Sequence, residues 1–401
     1  MIPERKMQVA DMAYSFTRSQ KNNPALLEVV LAQRDERVPM LDNADLSGTD
    51  LRKTDLSGGN LREANLSEAD LSGAYICGAY LHKANLSGSN LSGANLSKAI
   101  MIGVNLIGAN LRGASLRGTD LRATDLCGVN LAGADLNKAY LIEADLIGAD
   151  LSRADLSGVN LSRANLSGAN LSGADLSDAD LSRTVLIGTD LSRANLSKAK
   201  LGGANANKAN VSKANLSEAN LGLANFSEAD LSGAYMFRTN LRGTNLIAAN
   251  VSLANASGAD LSRAYLFRAY LSKSDLSKAN LSRANLIRAD LSGADLSRAN
   301  LSEANLSDAK LEGVYLRATN CTGATLQGAQ LFGAILTNTL FTGANLNNIQ
   351  ANPSDFAGLD LVFMANVTID VATVQRLSLP VSLIGNQQGS SYRVPIVKRE
   401  A

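Results

Sequence analysis

The chain has 401 residues, no tryptophan, 4% aromatic residues and 33 glycines, and its 45% hydrophobic fraction is mostly leucine and alanine. That composition excludes an aromatic-rich globular core and leaves room for a thin, regular one. With 38 basic against 37 acidic residues and a net charge of +1, the chain has no global field for binding nucleic acid, and none of the acidic excess of a nucleic-acid mimic.

The N-terminal residues Met1 to Lys6 are not followed by an uncharged apolar stretch, so no signal peptide is expected. No apolar run approaches the ~18 residues of a transmembrane helix. Residues 1–38 read as two short helices. Val9, Met12, Ala13 and Phe16 share one face of the first; Asn23-Pro24 is an N-cap followed by Pro at the first helical position; Leu27, Val30 and Leu31 form the second apolar stripe. This helical hairpin is expected to cap the domain that begins at residue 39, with docking of a partner as the alternative.

From Ala44-Asp45-Leu46-Ser47-Gly48 onward, Leu or a substitute recurs every fifth residue, giving 64 central positions from Leu46 to Leu361 without an insertion. The unit is Ala-(Asp/Asn)-Leu-Ser-x. Here the Leu is position i, Ala is i−2, Asp or Asn is i−1, Ser is i+1 and x is i+2. A period of five fits neither regular element. On an α-helix it would scatter the Leu side chains around the cylinder. On a strand, an odd spacing would send successive Leu residues to opposite faces. All can point inward only if the chain turns at every repeat and stacks as a solenoid, here spanning residues 39–365.

The number of sides per coil leaves a trace in the sequence. If a coil has four sides, residues 20 apart stack, and large central residues should sit on small ones in a close-packed core. Ala206 is followed by Phe226, Met236 by Ala256 and Cys321 by Phe341. A lag of 15 gives no such pairing, because Ala206 then meets only Leu191 and Leu221. The seven Ile residues at i+1 agree: 107, 147, 187, 247 and 287 fall in one column modulo 20, and 102 and 142 in the next.

Residues such as Gly-Ala-Asn-Leu-Ser at 168–172 and Arg-Ala-Asp-Leu-Ser at 153–157 match A(D/N)LXX as they stand, and the sequence resembles the pentapeptide-repeat family. The resemblance implies an all-β solenoid, a right-handed quadrilateral β-helix, with i and i−2 inward and the other three positions outward. About 16 coils at ~4.8 Å each would then make a rod of roughly 77 Å. The fold serves unrelated roles, so the resemblance leaves function open.

After Leu361 the pattern fails. Residues 366–401 are expected to form a C-terminal cap, with a short helix near Asp370 to Leu377, followed by a polar tail. Gyrase-interacting members of the family dimerise through C-terminal ends, so the resemblance leaves an end-to-end homodimer open beside a monomeric cap.

No constellation for catalysis, a cofactor or a metal emerges. His82, the only histidine, lies at an outward i+1 position with no relay partner in reach of the pattern. The Asp/Asn column at i−1 mixes the two residues freely, as local backbone hydrogen bonding allows and a cation site does not favour. Cys77, Cys127 and Cys321 contain no CxxC pair, which fits a reducing, cytoplasmic compartment, and Cys77 and Cys127 would face opposite ways, out of reach of a disulfide. Surface remains. On the Leu46 side, Ile107, Cys127, Ile147, Ile187, Ile247, Phe267 and Ile287 occupy outward positions where Ser is usual, with Tyr265 and Tyr270 flanking Phe267 and Tyr235 with Phe237 a coil or two away. An apolar stripe on an outward face points to a protein contact or self-association. The reading is a non-catalytic scaffold or regulatory protein with a protein partner and no direct nucleic acid. The alternative is a topoisomerase-binding protein acting by DNA mimicry, which the weak charge of every face disfavours.

Overall fold

Repeats with Asp or Asn at i−1 dispose of their five backbone N–H groups in the same way, and this explains the consensus. In the repeat 65–69, Asn65 N donates to Ala44 O (2.9 Å), Leu66 N to Asn85 O (2.7 Å) and Glu68 N to Ser87 O (2.9 Å), so three bonds run to residues about 20 positions away. Ala69 N closes a turn onto Leu66 O (3.2 Å). The fifth, Ser67 N, is taken by the Asn65 side chain at 3.2 Å. A short acceptor at i−1 satisfies the i+1 amide locally, which favours Asp and Asn in that column, though Tyr75, Ile100 and Val185 also occupy it.

The computed structural model describes residues 39–356, 364, 367–377, 387–388 and 391–393. The chain divides into two compact units, Met1–Asn195 and Leu196–Ala401. In the first, parallel bridges join residues 20 apart from Met40↔Asn60 to Asp175↔Asn195. In the second they run from Lys200↔Asn220 to Gln330↔Gln350. A turn of each unit thus takes four repeats. The expected helical cap at 1–38 lies outside the described residues.

The corner of every repeat is the i+2 residue, which has positive φ at all positions from Asn43 to Asn348, whether glycine or not. A left-handed conformation costs an ordinary residue ~1–2 kcal/mol, and glycine nothing, though glycine gives up more chain entropy on folding. Around Gly48 and Gly78 an added Cβ would meet nothing within 4 Å, so the cost at these corners lies in the dihedral and not in crowding. Leu223 is the least apt occupant, with φ 61° and 78% exposure. Leu223→Gly is expected to stabilise the fold by ~0.5–1 kcal/mol, read from the urea midpoint at constant slope.

The core is the two inward columns. Leu at i and Ala at i−2 are essentially fully buried throughout the described residues of both units. Where Thr replaces Ala, its hydroxyl is buried yet satisfied: Thr119 Oγ1 donates to Leu96 O (3.0 Å) and Thr239 Oγ1 to Leu216 O (2.7 Å). The size-matched residues Ala206, Phe226, Met236, Ala256, Cys321 and Phe341 are all buried, and each pair lies in one bridged column, as Asn205↔Asn225, Tyr235↔Asn255 and Asn320↔Leu340 show.

The regular spacing ends at Gln350. A 3-10 turn, Pro353–Phe356, comes next, and the next bridge joins Asn345 to Thr368, a step of 23 residues where the unbroken phase of the sequence predicts 20. The proline lacks an N–H and cannot serve the ladder, so the chain takes a longer path. Strand β1 (Thr368–Asp370) continues the stack and leads into helix α1 (Val371–Arg376). Strands β2 (Gln387–Gln388) and β3 (Ser391–Arg393) complete a three-stranded antiparallel sheet in the order β1-β3-β2. Asp370 caps α1 by accepting from Thr373 N at 2.8 Å, and also accepts from Asn348 N. Arg376 reaches back to the Ile349 carbonyl.

Candidate interaction surface

The outward polar column is a structural device. Besides accepting from i+1, each Asn can donate its Nδ2 to the residue 20 positions earlier. Asn65 donates to Asp45 (3.1 Å) and Asn85 to Asn65 (3.3 Å). In the second unit, Asn280 donates to Asp260 (3.0 Å), Asn300 to Asn280 (3.3 Å) and Asn320 to Asn300 (3.3 Å). The ladders have a direction: Asp can only begin one, because a carboxylate cannot donate, and every later rung is Asn. That grammar is written in the sequence, but it becomes visible only once residues are aligned at a spacing of 20. Among the described residues no three His, Cys, Asp or Glu side chains gather to hold a metal ion.

The reactive side chains are dispersed. His82 is half-buried at its i+1 position. All three cysteines are free thiols. Burial pushes the Cys321 thiol up to about 12, and burial together with the neighbouring Asp125 and Asp145 carboxylates pushes Cys127 up to about 11. Both stay protonated near neutral pH and are poor nucleophiles.

In the first unit, Ile107, Ile147 and Ile187 are exposed, Ile107 to 49%, and share one column with half-buried Cys127. In the second, Ile247 is 37% exposed and shares its column with half-buried Phe267 and Ile287, on three successive turns. Tyr265 stands exposed on the same side as Phe267, and Tyr270 on the next side. The Arg268 guanidinium lies over the Phe267 ring, 5.2 Å from its centre. Tyr235 and Phe237 are exposed too, but they precede Tyr265 and Phe267 by one and a half turns, which puts them on the opposite side of the coil and apart from the stripe.

Several corner charges pair along the stack, while Arg52 and Arg122 at i+1 pair with Asp50 and Asp120 of their own repeats. Arg283 binds Glu303 at 2.9 Å, Arg163 binds Glu143 at 3.2 Å, and Arg288 lies 3.7 Å from Asp308. Exposed pairs of this kind contribute little stability.

A coil of repeated five-residue turns, bridged at a spacing of 20 residues and filled by Leu and Ala, defines a repeat protein. The family model for pentapeptide repeats matches residues 44–158 and 160–348 in overlapping stretches, and the chain belongs to that family, whose members fold as right-handed quadrilateral β-helices. No curated protein matches the sequence. Among solved structures, a pentapeptide repeat protein of the cyanobacterium Cyanothece 51142 is 35% identical over 28% of this chain and 83% of its own, with a TM-score of 0.22. HetL of Nostoc sp. strain PCC 7120, involved in regulating heterocyst differentiation, is 30% identical over 80% of this chain and 96% of its own, with a TM-score of 0.14. QnrB1, a plasmid-mediated fluoroquinolone resistance protein, is 18% identical over 58% of this chain and 95% of its own, with a TM-score of 0.21. No helix among the described residues is long and apolar enough to cross a membrane.

Proposed function

We propose that this chain is a non-catalytic binding protein that presents a rigid apolar stripe to a protein partner. The observation that carries the reading is the run of Ile247, Phe267 and Ile287 on successive turns, at a position where the repeat usually places Ser. Neighbouring turns lie ~4.8 Å apart, so the three side chains form a continuous ladder. The turns beneath them are held by backbone bonds, and the stripe needs no rearrangement to bind.

Ile247→Ser with Phe267→Ser tests this. Ser is the ordinary residue at these positions, and the double variant is expected to keep the wild-type circular dichroism and melting temperature while losing at least tenfold in affinity for the partner. Unchanged binding would sink the reading. Mimicry of DNA would instead require a concentrated acidic face; inhibition of gyrase supercoiling at micromolar protein, retained in the double variant, would favour it.

A further inference from the structure

The two stretches of stripe share one plan but carry opposite charge. In the first unit, the side bearing Ile107, Cys127 and Ile147 on three successive turns is acidic, with Asp125, Glu143 and Asp145 on or beside it and glycine at corners 108, 128 and 148. In the second, the three turns bearing Ile247, Phe267 and Ile287 carry no acid there. Arg263 and Arg268 bracket the side holding Phe267, and Arg283 and Arg288 bracket the side holding Ile287. Taken turn by turn, the acidic residues number none, one and two in the first unit, and the arginines none, two and two in the second.

Part of this charge is already engaged. Arg283, Arg288 and Glu143 have the corner partners given above, and Asp125 and Asp145 each accept from their own i+1 amide, at 3.0 and 3.2 Å. Arg263 and Arg268 have no carboxylate within ion-pair distance among the described residues. Ion pairs between exposed groups remain open to competition, because each contributes only a fraction of a kcal/mol.

We infer that the occupant of the stripe is a second copy of this chain: the acidic apolar ladder at 105–147 of one copy seats against the arginine-bracketed ladder at 245–288 of another. This rests on the reading of the stripe as a protein contact and names its partner. The apolar centre supplies the attraction, and the bracketing charges set which stretch meets which. Three turns make a small contact, well under the ~800 Å² per partner of a standard interface, so the association is weak, concentration-dependent and opposed by salt.

The corners allow a test that spares the fold, because arginine and glutamate already occupy many of them at positive φ. One variant carries Ala123→Arg, Gly128→Arg, Glu143→Arg and Gly148→Arg; a Cβ at Gly128 or Gly148 meets nothing within 4 Å. The other carries Arg263→Glu, Arg268→Glu, Arg283→Glu and Arg288→Glu. Sedimentation velocity of the full chain over a wide concentration range is expected to show wild-type self-association that falls at least tenfold between low and high salt. Each variant alone is expected to remain monomeric, with unchanged circular dichroism, and their equimolar mixture to associate again. A wild type that is monomeric at every concentration, variants that self-associate like the wild type, or a mixture that stays monomeric would each overturn the inference. A monomeric wild type whose arginine-bracketed side binds polyglutamate or single-stranded DNA would assign a different occupant. A monomeric wild type that loses another protein partner through Ile247→Ser and Phe267→Ser would leave the proposed function standing without this inference.

Discussion

Phe226→Ala is expected to destabilise the second unit by about 3–5 kcal/mol. Phe226 is fully buried and ranks with Phe341 as the largest side chain so enclosed. Its column neighbour is Ala206, tied to it through the bond from Ala206 N to Asn225 O at 2.7 Å. Ordinary turns stack Leu on Leu; here one turn yields volume and the next takes it. Removing the ring leaves a cavity that stiff neighbouring turns cannot collapse, so little of the loss is recovered. Adding Ala206→Phe should restore a large part of the stability by exchanging the two sizes. The same logic in reverse holds for Ala256→Leu, which should cost ~1–3 kcal/mol by overpacking and be relieved in part by Met236→Ala. Chemical denaturation of the single and double variants gives the coupling energies. Strict additivity in both pairs would mean that the residues do not share a packing site.

Asp370→Ala is expected to cost about 2 kcal/mol, combining a lost helix N-cap with an Asn348 amide deprived of its acceptor. The Asp370 carboxylate binds Thr373 N, Thr373 Oγ1 at 2.7 Å and Asn348 N, thereby joining α1 to the last regular turns. Burial raises its proton affinity, but the hydrogen bonds from Thr373 and Asn348 outweigh that and hold the carboxyl below its ordinary value. A carboxylate with a lowered folded value stabilises the protein fully above the usual carboxylate range. The contribution is then lost as pH falls through that range and the lowered folded value. The melting temperature of the wild type should therefore drop in acid more steeply than that of Asp370→Asn, which keeps the cap geometry without the titration. Parallel curves for the two proteins would show that Asp370 is not the linked group.

Much of the fold could be read from the sequence because the information is local and repeated. A five-residue period is incompatible with a helix or a flat strand, and that alone forces a turn per repeat. The 20-residue turn was legible through Ala206 with Phe226 and Cys321 with Phe341, because packing leaves a volume record at the spacing of contact. The bridges Asn205↔Asn225 and Asn320↔Leu340 run at that spacing. The stretch after Gln350 was not legible. The phase of Ala351 and Phe356 still matches the repeat, and both are buried, yet Asn345 pairs with Thr368. That pairing depends on strands brought together from residues 368 to 393, which leave no periodic mark. The helix, by contrast, announced itself through Asp370 at its cap.

The apolar stripe was legible only as substitutions against a consensus, Ile or Phe where Ser is usual. What composition hid was its surroundings. Whole-side charge sums are small because acidic and basic turns cancel along a column. Only turn-by-turn inspection separates the Asp125–Asp145 stretch from the Arg263–Arg288 stretch. Tyr235 and Phe237 lie one and a half turns before Tyr265 and Phe267 and so on the opposite side, since nearness in the sequence does not mean the same side when each repeat turns a corner.

The 20-residue pairing also governs how such a chain can change length. A deletion inside one repeat would throw inward residues outward, and the hydrogen bonding of every later turn would fail. A deletion of one whole repeat would leave each Leu inside and each Asn on its ladder position, yet rotate every later repeat by a quarter turn. Removing any single repeat between Phe267 and Ile287 would move Ile287 to the neighbouring side and break the stripe without disturbing the core. Length in these units therefore changes in steps of five if the fold is to be kept, and in steps of twenty if the stripe is to stay in one column. The 40-residue intervals between Ile107, Ile147 and Ile187 obey the stricter rule.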